Sequence, residues 1–388
     1  MKVLLVNHFP LEGSGSGVYT KNIAYRLRDH GHEVRVIVVD NERSSNYDFP
    51  VKTILYYDFP CFTTHPKSNN QFYNLSRREM NDYLKKFISA VNDEVRDFKP
   101  DLIHAQHLWV APYAALLSKI PYIITAHGTD IKGYKKDKRY RHIALKAALK
   151  AEKIITISQQ VHRDVMKYYY LPEEKLKLIM NGFDENIFKP MKIDRNKFLK
   201  KLLGDRFKEP NKVISFVGKL TNFKGVDLLI RAARIYEEEF PESVTLITGH
   251  GELRGELEEM VDNLGLKSVY FLGNRPQEVV AKIYNIADIS VVPSRIEPFG
   301  LVAVESLACG TPVIASNAGG LPDFVDDSVG RLFPMDDYKH LAESIITALH
   351  EDDKQQKGEW AAEYALANFS WDRVIQDLLQ IYNNIGNN

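Results

Sequence analysis

The sequence has only two cysteines, Cys61 and Cys309, among 388 residues. Two thiols cannot build a disulfide framework or a cysteine-rich zinc site. A reducing compartment is the default expectation. No apolar run approaches the ~20 residues needed to cross a bilayer as a helix. The apolar core of the N-terminus, Val3 to Val6, is too short for a signal peptide. A cytoplasmic protein is expected. Neither charge sign dominates: 51 Lys+Arg face 51 Asp+Glu. Bulk charge therefore gives no sign of a nucleic-acid partner. No G-x-x-x-x-G-K-[ST] run occurs, which excludes a P-loop. No His/Cys/Asp cluster has convincing metal-ligand spacing, since His104-x-x-His107 stands without further ligands. No metal or cofactor is expected.

What is present is an ordinary globular composition, 44% apolar and 26% charged. That argues against disorder, collagen and coiled coil. At ~150 residues per domain the length suggests two to three domains. The zero net charge hides an asymmetry. Residues 1–190 hold 29 Lys+Arg against 21 Asp+Glu, and residues 191–388 hold 22 against 30. Part of the positive excess lies in Lys132–Lys153. A solvated helix face explains such a run, and so does a surface for an anionic acceptor or a peripheral membrane contact.

Short, almost wholly apolar runs alternate with amphipathic stretches. Lys2–Val6, Val34–Val39, Leu102–His104, Tyr122–Thr125 and Lys153–Ile157 read as strands. A second series begins with Val213–Val217 and continues through Val244–Thr248, Tyr270–Leu272, Ile289–Val292 and Pro312–Ala315. Continuous rather than alternating apolar runs fit parallel strands covered on both faces. The βαβ order gives the expected fold class: α/β, with two doubly wound, Rossmann-like parallel-sheet domains. Asn181–Asp205 reads as a linker with a short helix, which puts the boundary near residue 185. Helical spacing returns at Trp371–Ile385, and its apolar face has to dock somewhere.

Chemistry is sought in the loops after strands, because ligands of such sheets bind beyond the strands' carboxyl ends. Gly13-Ser14-Gly15-Ser16-Gly17 follows the first strand and opens a helix. It suits an anion, or it is simply a tight turn. Val18 stands where a dinucleotide fingerprint needs glycine. Gly218-Lys219 through Lys224-Gly225 also lies between a strand and a helix, and two lysines there could neutralise a pyrophosphate. Glu297 lies in a later strand–helix loop, with Phe299, Gly300 and Leu301 at the helix start, where N–H groups are unpaired. Glu305 follows on an otherwise apolar helix and needs a partner, for which ribose hydroxyls or a buried salt bridge would serve. His127 precedes Gly128 at another strand end. His104 and His107 read as packing or acceptor-side residues.

Taken together, these residues resemble a family 4 retaining glycosyltransferase of the GT-B fold. The resemblance spans nearly the whole chain. It rests on GSGSGVYTKNIAYRL, GHEV and AHGTD (126–130) in the first half. NGFD (181–184), FVGKL…KG, TGHGEL and ADISVVPSRIEPFGLVAVESLACGTPVIAS carry it in the second. Glu297 and Glu305 match the family's E-x7-E motif. The resemblance implies an acceptor-side domain at 1–185, a nucleotide-sugar domain at 186–370, a cleft between them, and a C-terminal helix at 371–388 packed on the first.

By the same resemblance Gly15 approaches the donor diphosphate, and Gly218, Lys219 and Lys224 bind it. Lys219 departs from the more frequent arginine and loses bidentate geometry. Glu297 contacts sugar hydroxyls, and the N–H groups of Phe299, Gly300 and Leu301 hold sugar or phosphate. Glu305 accepts from the ribose, His127 lies beside the transferred sugar, and Arg275 flanks the base. Asn181 and Gly182 sit at the hinge.

The expected activity is hexose transfer from a nucleoside diphosphate sugar, UDP favoured over GDP, to a glycan, lipid-linked or small-molecule hydroxyl. It retains the anomeric configuration, needs no metal and belongs to carbohydrate biosynthesis. The alternatives are a sugar-nucleotide 2-epimerase or phosphorylase on the same fold, an NAD-dependent oxidoreductase, or a non-catalytic sugar-nucleotide-binding protein. The acceptor loops are expected at Phe59–Asn70 and His104–Tyr113. There Tyr56, Tyr57, Phe59, Phe62, Trp109 and Tyr113 are either stacking rings or core. The sequence leaves the oligomeric state open.

Overall fold

A computed structural model describes residues 1–43, 47–63, 65–206, 209–351 and 354–386. The chain forms two compact units, Met1–Asn181 with Trp371–Asn388, and Gly182–Ser370. Thr64, within the expected acceptor loop, and residues 387–388 lie outside the described residues.

The first unit is built on seven strands. They are β1 (Lys2–Val6), β2 (Glu33–Asp40), β3 (Val51–Leu55), β4 (Leu102–Gln106), β5 (Tyr122–Ala126), β6 (Ile154–Thr156) and β7 (Leu176–Leu178). Their order is β3-β2-β1-β4-β5-β6-β7. Every pairing is parallel, with Leu4 opposite both Arg35 and Ile103 at the centre. The second unit has six: β8 (Lys212–Val217), β9 (Ser243–Thr248), β10 (Val269–Gly273), β11 (Ile289–Val292), β12 (Val313–Ser316) and β13 (Gly330–Phe333). Their order is β10-β9-β8-β11-β12-β13, again parallel throughout. In each sheet the direction of winding reverses at the first strand of the unit, β1 or β8. The loops after these strands therefore sit at the switch point, where such sheets bind ligands.

The central strands are the apolar runs legible in the sequence, buried on both faces; Val3 to Val6 and Ile289 to Val292 are examples. Three strands escape that pattern: β3, β7 and β13. Each is a sheet edge and keeps a charged or exposed residue, such as Lys52, Lys177 or Arg331. An edge strand needs less apolar cover, so its sequence signal is weak. The short helix expected within the linker is present. Helix Arg195–Leu203 buries Leu199 and Leu203 against Val213, Val244 and Leu246 of the second unit.

Helix Trp371–Gly386 completes the core of the first unit. Trp371, Val374, Ile375, Leu378 and Tyr382 pack in one cluster with Tyr19, Ile23 and Leu27 of helix Gly15–Asp29. Tyr382 Oη is also hydrogen-bonded to His104 Nδ1 at 2.6 Å, and His104 Nε2 to Thr125 Oγ1 at 2.7 Å. That places His104 in the packing role. Leu378→Ala is expected to destabilise this unit by about 2–5 kcal/mol, because it empties a fully buried site. Chemical denaturation would show the loss as a lower unfolding midpoint.

Candidate active site

In the second unit the loops at the carboxyl ends of β8, β9, β11 and β12 press backbone against backbone. The glycines make this possible. A Cβ on Gly249 (φ +138°) would lie 1.8 Å from the Gly218 carbonyl oxygen, and one on Gly251 2.2 Å from that of Leu220. A Cβ on Gly225 would meet the Pro293 oxygen at 2.0 Å, and one on Gly319 the Glu297 oxygen at 1.8 Å. Hydrogen bonds fix the same seams: Gly218 N to Thr248 O, Leu220 N to His250 O, and Gly320 N to Glu297 O, at 2.9–3.0 Å.

Arg295 holds the lysine loop against the glutamate loop. Its guanidinium donates to both carboxylate oxygens of Asp227 and to the Asn222 carbonyl, each at 2.8 Å, and to Asp336. Its backbone N–H donates to Phe223 O at 2.8 Å. Arg295 is not among the site residues expected from the sequence. The available signal was an arginine two places before Glu297 in a strand-end loop.

Within this frame Lys224 Nζ donates to Glu297 Oε2 at 2.6 Å, and Ser294 Oγ donates to the same oxygen at 3.0 Å. The lysine expected on the diphosphate and the glutamate expected on the sugar thus hold one another. Lys219 is exposed on the same loop. Gly300, with φ +108°, caps helix Leu301–Ala308 without a side-chain bond. The backbone N–H groups of Phe299, Gly300 and Leu301 make no backbone hydrogen bond among the described residues. The Phe299 ring is packed on Phe324 and Phe369, so its side chain is taken up by packing. Arg275 is exposed after β10, and its loop adjoins the Gly249 turn through Gly249 N to Gly273 O at 3.0 Å.

Glu305 differs from Glu297. It is 7% exposed and makes no hydrogen bond or ion pair with any described residue. Desolvation, reinforced by Asp184, pushes its carboxyl up to about 8. A buried carboxyl without a protein partner suits donors that arrive with a ligand.

Gly15 and His127 belong to the first unit. Ser14 caps helix Gly15–Asp29 by accepting from Gly17 N at 3.0 Å. Gly17 has to be glycine, since a Cβ would meet Pro10 O at 2.1 Å. Gly15 has no such neighbour within 4 Å. Packing does not require a glycine there, and open space lies over its Cα at the start of the helix. His127 follows β5, with its Nε2 2.9 Å from Gln106 Oε1. Burial lowers its pKa to about 3, so the ring is neutral at pH 7. With the proton on Nε2, Nδ1 is a lone-pair acceptor.

The aromatic residues separate cleanly. Phe59, Phe62 and Trp109 are buried core, Tyr56 and Tyr113 are half-buried, and Tyr57 is exposed. Among the described residues no group of three His, Cys, Asp or Glu could hold a metal ion.

The comparisons follow the two units. Residues 13–186 match the Glycosyltransferase Family 4 model, and residues 203–363 match the Glycosyl transferases group 1 model. The D-inositol 3-phosphate glycosyltransferase of Corynebacterium jeikeium is 30% identical over 96% of this chain and 94% of its own. The chain belongs to the family 4 glycosyltransferases. An uncharacterized glycosyltransferase of Methanocaldococcus jannaschii is 29% identical over 98% of both chains. The fold of this family 4 glycosyltransferase is that of solved GT-B structures. Sucrose-phosphate synthase from Thermosynechococcus elongatus matches with TM-score 0.78 at 22% identity over 99% of each chain. Anabaena HepE in complex with UDP-glucose matches with TM-score 0.77 at 22% identity over all of both chains.

Much of the transferase's basic stretch is used internally. Arg139 is bound to Asp137 and to the carbonyls of Phe72, Tyr73 and Leu75. Arg141 donates to the Tyr134 and Lys135 carbonyls, and Lys135 and Lys136 lie over Tyr168 and Tyr73. Arg139 and Lys136 thus fasten residues 72–75, while Arg141 and Lys135 tie the neighbouring helices together. No helix among the described residues is long and apolar enough to cross a membrane.

Proposed function

We propose that this glycosyltransferase moves a hexose from a nucleoside diphosphate sugar, UDP favoured, to a hydroxyl of a glycan, lipid-linked or small-molecule acceptor. The anomeric configuration is retained and no metal takes part. The observation that carries the reading is Glu305, a buried carboxyl with no partner among the described residues, on the helix that begins just after the Glu297 bound to Lys224. A ribose diol supplies the donors that this carboxyl lacks. The UDP and UDP-glucose bound in the Anabaena HepE structures support a sugar nucleotide as the donor.

In this reading Lys219, Lys224, Gly218 and Gly15 meet the diphosphate. Glu297 and the N–H groups of Phe299, Gly300 and Leu301 meet sugar and phosphate. His127 accepts from a sugar hydroxyl through Nδ1, and Arg275 flanks the base. The slow step is departure of the diphosphate from an oxocarbenium-like sugar. Negative charge grows on the leaving phosphate while two ammonium groups and a helix N-terminus stabilise it. They act more strongly on the transition state than on the ground state, which is what accelerates a reaction. The departing phosphate, on the same face as the acceptor, takes the acceptor's proton. Lys138, Lys146 and Lys150 are the cations available to an anionic acceptor or a membrane leaflet in peripheral contact.

Thermal unfolding with UDP-, GDP- and ADP-sugars is expected to single out UDP-sugars as stabilising. Product NMR should then show the donor's anomeric configuration, and turnover should survive excess EDTA. An inverted product, or activity restored only by magnesium or manganese, would contradict the proposal.

A further inference from the structure

Away from these residues, the first unit carries a shallow, open surface cavity of about 430 Å³ at the carboxyl end of β3. Its walls include Tyr56, Tyr57, Glu79, Asp82, Lys85 and Lys86. Tyr57 is 91% exposed, an unusual cost for an aromatic ring with no packing duty. Tyr56, by contrast, is fixed. Its backbone N–H donates to Asp40 O at 3.0 Å, its ring meets the buried Tyr83 edge-on at 5.6 Å, and Lys86 Nζ lies 4.6 Å above it. Glu79 uses Oε2 to cap its own helix, accepting from Ser76 N at 2.7 Å, and keeps Oε1. Asp82 and Lys85 make no hydrogen bond or ion pair with any described residue.

Two carboxylates and two ammonium groups balance within this lining. An anionic leaflet or a free phosphate would be repelled by half of it. A neutral polyol is not, since its hydroxyls both donate to carboxylates and accept from ammonium groups. An exposed tyrosine adds the flat apolar face on which a pyranose ring can lie.

We propose that this cavity is a saccharide subsite that holds the distal part of a glycan acceptor, with Tyr57 as its stacking platform. The inference rests on the transferase reading above and narrows its acceptor to an oligosaccharide chain. Strand order sets the length. From β3 to β5, the strand that His127 follows, there are four spacings in the sheet. At ~4.8 Å each they span roughly 19 Å. One pyranose residue extends about as far as one spacing, so an acceptor reaching both places has roughly four residues or more.

The test is retention of the whole protein on an array of neutral oligosaccharides of two to eight residues, for wild type, Tyr57→Ala and Tyr57→Phe. UDP affinity serves as the control. Chains of four residues or more should be held by wild type and by Tyr57→Phe. Tyr57→Ala should hold them roughly tenfold more weakly, with UDP binding unchanged in all three. Equal retention by wild type and Tyr57→Ala, or no retained oligosaccharide at all, overturns the subsite. Tyr57-dependent binding to phosphatidylglycerol vesicles instead would assign the patch to a membrane. Failure of the transferase reading would look different: no hexose would leave any nucleotide sugar, whatever the array showed.

Discussion

Lys224→Ala is expected to lower kcat by roughly two to three orders of magnitude while the fold stays intact. In the proposed reaction the variant loses a cation where leaving-group charge develops. It also strands Glu297, which is 7% exposed and now without the ammonium 2.6 Å away. A buried carboxylate left beside a phosphate opposes the same charge that the lysine favoured. The two effects are separable. Adding Glu297→Gln to Lys224→Ala removes the stranded charge, so the double variant should recover part of the loss. The two residues are thereby coupled, as expected for groups in direct contact. Steady-state kinetics on the two single variants and the double variant measures this coupling. Near-normal turnover by Lys224→Ala would rule out the charge clamp.

The second large effect concerns Glu305 and pH. Without nucleotide its carboxyl titrates near 8 and is mostly protonated at pH 7. Ribose hydroxyls that donate to it favour the ionised form and pull the pKa down. Nucleotide binding at pH 7 should therefore release a proton. Affinity should rise with pH by up to about one log unit per pH unit below 8, then level off. Calorimetry of UDP in buffers of different ionisation enthalpy reads the proton directly. Glu305→Gln should abolish the release, and Glu305→Ala should weaken UDP more than Glu297→Ala does.

The sign for stability runs opposite to that of most acidic residues. The folded pKa lies above the ordinary 4.5, so ionisation costs folded-state stability as pH rises from 4.5 to 8. The cost is at most about 5 kcal/mol. Glu305→Gln should raise Tm at pH 8 and leave it nearly unchanged at pH 4. Equal Tm differences at both pH values would mean that the carboxyl is not desolvated.

The parts of this protein legible in its sequence are those where one residue type serves one purpose. Strand Ile289–Val292 is legible because it is apolar but for Ser290 and is closed by Pro293, and helix Leu301–Ala308 because it is apolar but for Glu305 and Ser306 and is closed by Cys309-Gly310. Edge strand β7, Leu-Lys-Leu, offers no such run. The 22-residue helix Arg77–Phe98 was within reach, since Ser76 and Glu79 form a capping box, yet it is not among the expected elements. In the candidate active site the charged residues stand out in the sequence one by one. Their pairing does not, because Lys224 and Glu297 lie 73 positions apart and only packing brings them together. The same holds for Arg295, whose partners span Asn222 to Asp336.

The first unit consists of two stretches of chain that flank the whole of the second. On a ribosome, residues 1–181 emerge long before the helix that covers Tyr19 and Leu27. The intervening 189 residues take roughly 10–40 s at typical elongation rates. During that interval an uncovered apolar face is held at the polysome, where neighbouring nascent chains present the same face. Messages cut short before codon 371 should therefore yield product found in inclusion bodies or on chaperones.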